Sequence, residues 1–146
     1  MAGTGRDDPA EALIDYDPDR TPDPAAWLDL DEDARTHAVQ AWCRRQGVEL
    51  SNERVYAAML ATVETQVAMG DELPVAETVE RLRREGFSRR EAVHAVSTVL
   101  AETMYDAFYG EEPGADPQGA YFDELRRLTP ESWRARFDDE PIFPLM

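Results

Sequence analysis

Two side chains have the chemistry to act together: His94, a titratable imidazole, and Glu64, a carboxylate. Each falls at the border of an apolar helical stripe, so two packed helices could bring them face to face. Such a pair would make a metal site, or a pKa-tuned acid–base pair if buried. The plainer alternative is a boundary histidine bonded to a neighbour and a border carboxylate paired with arginine. His37 lies opposite Ala38 and Trp42 and is expected in solvent. No two histidines stand four apart, and no Glu-x-x-His motif supplies further ligands.

Other groups are weaker candidates. Cys43 is the only cysteine, which excludes an intramolecular disulfide and a Cys-based zinc site. It precedes Arg44 and Arg45, but a helix C-terminus raises a thiol pKa, so a structural thiol is expected. Asp15-Tyr16-Asp17-Pro18-Asp19 matches the first three ligand positions of a calcium loop. The match fails at Arg20, where glycine is needed, and at Ala26, where a bidentate glutamate is needed. An aspartate-rich solvated turn is expected instead. All fifteen basic residues are arginine, so no Schiff-base or P-loop lysine exists. No catalytic residue is nominated and no cofactor is expected. Tyr105, Phe108, Tyr109, Tyr121 and Phe122 bracket residues 110–117. They form either an aromatic patch or the docking face for the C-terminal helices.

The elements that must position these groups are all helical, since no segment alternates with a period of two. Asp23-Pro24 is an N-cap followed by proline at the first helical position, with Trp27, Leu28 and Leu30 beyond it. A first long helix is expected from Asp31 to Gln46, ending at Gly47, with Ala38, Val39 and Trp42 inside. Ser51 is expected to cap the second, with Leu50 and Val55 at staple positions. Its stripe is Tyr56, Met59, Leu60, Val63 and Val67, ending at Gly70. Pro74 opens a third helix, with Val75, Val79 and Leu82 inside, stopped at Gly86. Ser88-x-x-Glu91 is a capping box for the fourth, which runs to Tyr109 and Gly110. Val93, Val96, Leu100, Met104 and Ala107 are expected to face inward, with Phe108 beside them. Short helices follow around Gln118–Leu128 and after Thr129-Pro130-Glu131, with Leu128 and Trp133 as a staple. The expected fold is a compact all-α bundle of four principal helices (about 31–109) with accessory ends. Residues 1–22 read as a flexible or loosely docked acidic arm, 23–109 as the helical domain, and 110–146 as linker, short helices and apolar tail.

The chain has 146 residues and a formal net charge of −16. Residues 1–33 hold eleven acids and two arginines, 34–109 eleven and nine, and 110–146 nine and four. The acidity therefore belongs to the ends. It opposes direct binding of nucleic acid or of an anionic membrane. The N-terminus lacks the apolar core of a secretory signal, and no apolar run reaches the roughly 18 residues of a membrane span. A soluble cytoplasmic protein is expected.

The motifs Asp15-Tyr16-Asp17-Pro18…Pro22-Asp23-Pro24-x-x-Trp27-Leu28-x-Leu30, Glu64-x-Gln66-x-Ala68-x-Gly70-Asp71-Glu72-Leu73-Pro74-Val75 and Gly86…Ala92-x-His94-Ala95…Leu100-Ala101-Glu102 resemble a group of small uncharacterised bacterial helical proteins. The resemblance covers about residues 15–105 and implies a compact helical domain of bacterial origin. Many of those relatives carry histidines on the second and fourth helices, which implies a metal site. Here Tyr56, Leu60, Arg90 and Thr103 occupy comparable places, leaving His94 with Glu64 and Glu102 nearby in pattern.

Three functions follow as expectations. The first is a non-enzymatic helical interaction or regulatory module whose partner is another protein, one with a basic surface if the acidic ends steer it. Tyr105, Tyr109, Ile142 and Phe143 are its expected contact residues. The second is a vestigial or low-affinity metal-binding four-helix domain centred on His94 and Glu64. The third, an acidic mimic of nucleic acid, needs an ordered carboxylate array, which proline-rich ends do not favour. A homodimer is compatible with each.

Overall fold

The computed structural model describes residues 15–47, 52–110 and 116–137. The described residues are all-helical, with no strand. In chain order the helices are α1 (Pro24–Leu28), α2 (Glu32–Arg45), α3 (Glu53–Ala68), α4 (Val75–Arg84), α5 (Arg89–Tyr109), α6 (Pro117–Arg127) and α7 (Pro130–Phe137). A 3-10 turn, Gly70–Glu72, joins α3 to α4.

Local chemistry sets most of the starts. The Asp23 and Asp31 carboxylates accept from the backbone N–H groups of Ala26 and Ala34. They satisfy donors that a first helical turn leaves open. Ser88 and Glu91 close a full capping box at the start of α5. Thr129 Oγ1 accepts from the Ser132 N–H at 3.0 Å and starts α7. The second long helix differs from expectation. It starts at Glu53 with Asn52 at the N-cap, and Asn52 makes no side-chain cap bond. Ser51 and Leu50 lie outside the described residues, and Val55 is half exposed. Gly47 and Gly86 end α2 and α4 at φ values of 73° and 121°, which glycine adopts without a Cβ penalty.

The core lies where α3 and α5 meet. α3 packs against α1, α2, α4 and α5, and α5 packs against α3, α4 and α6. Ala38, Val39 and Trp42 of α2, Leu60 and Val63 of α3, Val75, Val79 and Leu82 of α4, and Val93 and Val96 of α5 are buried as their stripes require. In residues 15–22, read as part of a flexible or loosely docked arm, Tyr16 and Pro18 are buried and Asp15, Asp19, Arg20 and Thr21 are exposed. Tyr16 is 4% exposed and sits against Trp27 and Trp42, with ring centroids at 5.8 and 6.4 Å.

One expectation about the core is corrected. Met104 and Phe108 do not face inward but are 37% and 75% exposed, and Ala107 is exposed too. Helix length is the cause. With 21 residues α5 is about 32 Å long, against about 24 Å for the 16 residues of α3. Burial of α5 is continuous over Ala92, Val93 and Ala95 to Leu100, then stops. Its last turns carry an apolar pattern into solvent.

Candidate functional site

The buried polar centre is built from three elements. Glu64 lies in the fourth turn of α3, Arg89 is the first residue of α5, and Tyr16 comes from the segment before α1. Arg89 Nη2 donates to Glu64 Oε1 at 2.8 Å and Nη1 to Oε2 at 2.9 Å. This is the bidentate fork that matches guanidinium to carboxylate. The two side chains are 1% and 0% exposed. The Tyr16 hydroxyl donates to Glu64 Oε2 at 2.6 Å. Arg89 Nη1 also donates to the carbonyls of Pro18 and Arg20, at 2.8 and 3.3 Å. Its Nε has no partner among the described residues.

The electrostatics follow from burial. Removal from water, then the charge and hydrogen bond of Glu64, push the Tyr16 hydroxyl well above its ordinary value, so it stays a donor. Burial alone would weaken the charge on Arg89, but Glu64 outweighs it and holds the guanidinium protonated. A cation at a helix N-terminus is also opposed by the helix dipole, which Glu64 offsets. The centre is therefore closed on itself: both Glu64 oxygens are already bonded.

The aspartates of the Asp15–Asp19 run shape the backbone. Asp17 Oδ1 accepts from the Asp19 N–H at 2.9 Å, and Asp19 Oδ1 accepts from the Arg90 N–H at 3.1 Å. They form a turn and a cap for α5. A surface hollow of about 360 Å³ opens beside them. Its charged lining, Asp15, Asp17 and Asp19 against Arg20, Arg45 and Arg90, is balanced. Arg45 donates to the Tyr16 carbonyl at 2.8 Å and Arg90 lies over the Trp42 ring at 5.0 Å, so the arginines serve the fold.

His94 and Glu64 do not meet. α3 and α5 run antiparallel, with Tyr56 opposite His94 and Glu64 opposite Arg89. Glu64 is eight residues along α3 from Tyr56, and His94 five along α5 from Arg89, an axial offset of about 7–12 Å. His94 Nδ1 instead lies 3.2 Å from the Tyr56 hydroxyl. The Trp133 ring covers it edge-on, with centroids 5.7 Å apart. Burial, then the charge of Arg90, lowers the His94 pKa from 6.5 to about 4, so the ring is neutral at pH 7. Among the described residues, no three His, Cys, Asp or Glu side chains form a group that could hold a metal ion. Cys43 is buried, and burial raises its thiol from 9.0 to about 11, the reverse of a reactive thiolate. His37 is exposed.

The aromatic residues divide into two groups. Tyr121 is buried, its hydroxyl donating to Gln66 Oε1 at 2.6 Å, and Phe122 packs against the core, so both dock α6. Tyr105, Phe108 and Tyr109 are 64%, 75% and 73% exposed, and the rings of Tyr105 and Tyr109 lie 4.9 Å apart. Ile142 and Phe143 lie outside the described residues. Arg89 and Tyr16 were missed in the sequence as partners of Glu64. The signal available was an arginine at the first position of a capped helix, where a cation needs a nearby anion.

No helix of the described residues is long and apolar enough to cross a membrane. No family model, curated protein or solved structure matches the chain.

Proposed function

We propose that the chain is a non-enzymatic helical module that binds another protein through the exposed end of α5. The supporting observation is the cluster Met104, Tyr105, Phe108 and Tyr109, in which four large side chains stand exposed on two turns. Among the described residues, the other exposed large hydrophobics are Leu28 and Val55, each on a different helix. Contiguous apolar surface of this kind marks contact sites, and tyrosine supplies large area at low entropy cost. In this reading α2 to α5 are the four principal helices, and α6 and α7 are accessory. The acidic ends steer a partner of basic surface. Membership of the group of bacterial helical proteins belongs to the same proposal and rests on the quoted motifs.

The test is a photo-crosslinking residue placed at Phe108 and, separately, at Val55, in cells that produce the chain. A partner trapped from Phe108 and not from Val55 supports the reading. Identical products from both positions overturn it.

A further inference from the structure

Thr98, Glu102, Tyr105 and Tyr109 follow one another at spacings of four, three and four, and so stand on one side of α5. Helix α7 touches the first two. Trp133 Nε1 donates to Thr98 Oγ1 at 2.8 Å, and Arg136 pairs with Glu102. Between residues 133 and 136, then, α7 advances along α5 toward its C-terminus. The next two positions on that side, Tyr105 and Tyr109, are the paired exposed rings. Helix α7 ends at Phe137, one residue after the Arg136 that reaches Glu102.

The chain beyond Phe137 has a composition suited to those rings. After Asp138, Asp139 and Glu140 comes Pro141-Ile142-Phe143-Pro144-Leu145-Met146, which contains a P-x-x-P pattern. Proline-rich segments of that pattern fit aromatic-lined surfaces because their extended conformation is largely preset. The distances agree. From Glu102 to Tyr109 is seven helical residues, about 10 Å along the axis. Three extended residues would also span about 10 Å, so the number of residues between Phe137 and Pro141 is enough to reach the tyrosines.

We propose that residues 141–146 dock on Tyr105 and Tyr109 of their own chain, as a P-x-x-P ligand laid along the last turns of α5. This rests on the interaction surface named above and gives it a resident occupant, which an outside partner must displace. The geometry favours the chain's own segment over that of a second copy, because α7, which precedes it in the chain, already contacts the same side of the same helix through Trp133 and Arg136.

The test is hydroxyl-radical footprinting of Tyr105 and Tyr109, read by mass spectrometry. It compares the full chain, a chain ending at Glu140, and the full-length Phe143→Asp variant, with Val55 as reference. The expected result is a severalfold rise in labelling of both tyrosines in both variants, with Val55 unchanged and the full chain's protection independent of concentration. Equal labelling in all three proteins overturns the proposal. Protection that disappears on dilution also overturns it, by assigning the segment to a second copy. The crosslink at Phe108 separates this failure from that of the broader reading. Equal labelling with the Phe108 crosslink retained breaks the tail contact alone. Protected tyrosines without that crosslink support the tail contact and break the partner reading.

Discussion

The two ends of α5 are opposites. At its start, Arg89 is enclosed with Glu64 and Tyr16, and both carboxylate oxygens are bonded within the protein. At its finish, Tyr105, Phe108 and Tyr109 extend beyond the helices that cover the rest of it. The first region is polar and buried; the second is apolar and exposed. Each breaks the usual distribution of residue types, and the two breaks have different meanings. A buried charge held against its opposite charge belongs to the fold. An exposed apolar cluster adds nothing to the core and is explained by what covers it.

If that contrast is right, the largest effect comes from the start of α5. Arg89→Ala or Glu64→Ala is expected to cost about 3–5 kcal/mol, because each strands an uncompensated buried charge. Urea denaturation measures it, and the paired replacement Glu64→Leu with Arg89→Met should recover most of the loss. Single variants as stable as the parent would show that the pair is solvated. Tyr16→Phe removes one hydrogen bond to a charged acceptor and should cost about 2 kcal/mol in the same assay.

His94 predicts a smaller, pH-dependent effect. Its folded pKa, lowered to about 4, lies below the ordinary 6.5 of the unfolded chain. Between those values the unfolded state binds more protons, so stability is complete above 6.5 and falls as pH drops toward 4. From neutral pH to about pH 5.5 the loss should be about 1 kcal/mol. His94→Gln should remove that component, which unfolding measured at both pH values would reveal. A variant with the parent's pH slope would mean that His94 is protonated freely in the fold. Least of all should happen at the far end: Tyr105→Ser and Phe108→Ser are each expected to change stability by no more than about 0.5 kcal/mol. A loss of several times that would place them in the core and sharpen the contrast out of existence.

Much of this was legible along the chain. Helix ends were, because Asp23, Asp31, Ser88 with Glu91, Gly47 and Gly86 act on backbone groups only a few residues away. The inner faces of α2, α3 and α4 were legible too, because one stripe repeats at 3.6 residues. Two matters were not. The apolar pattern of α5 continues to Tyr109, and periodicity alone cannot say that its neighbours end sooner. Glu64 and His94 both lie at stripe borders, and periodicity cannot say which residues of two helices lie level.

By itself, then, the sequence determined the helical class, most helix boundaries, the location of the acidity and the lack of lysine and of a second cysteine. These depend on composition or on contacts within a turn or two. Only the tertiary structure decided that Glu64 answers to Arg89 and Tyr16, that His94 rests between Tyr56 and Trp133, and that the last turns of α5 run beyond the described helices packed against it. Those outcomes depend on the antiparallel register of α3 against α5 and on their unequal lengths. A shift of one helical turn, about 5.4 Å, would re-pair every one of these groups without changing a single local signal.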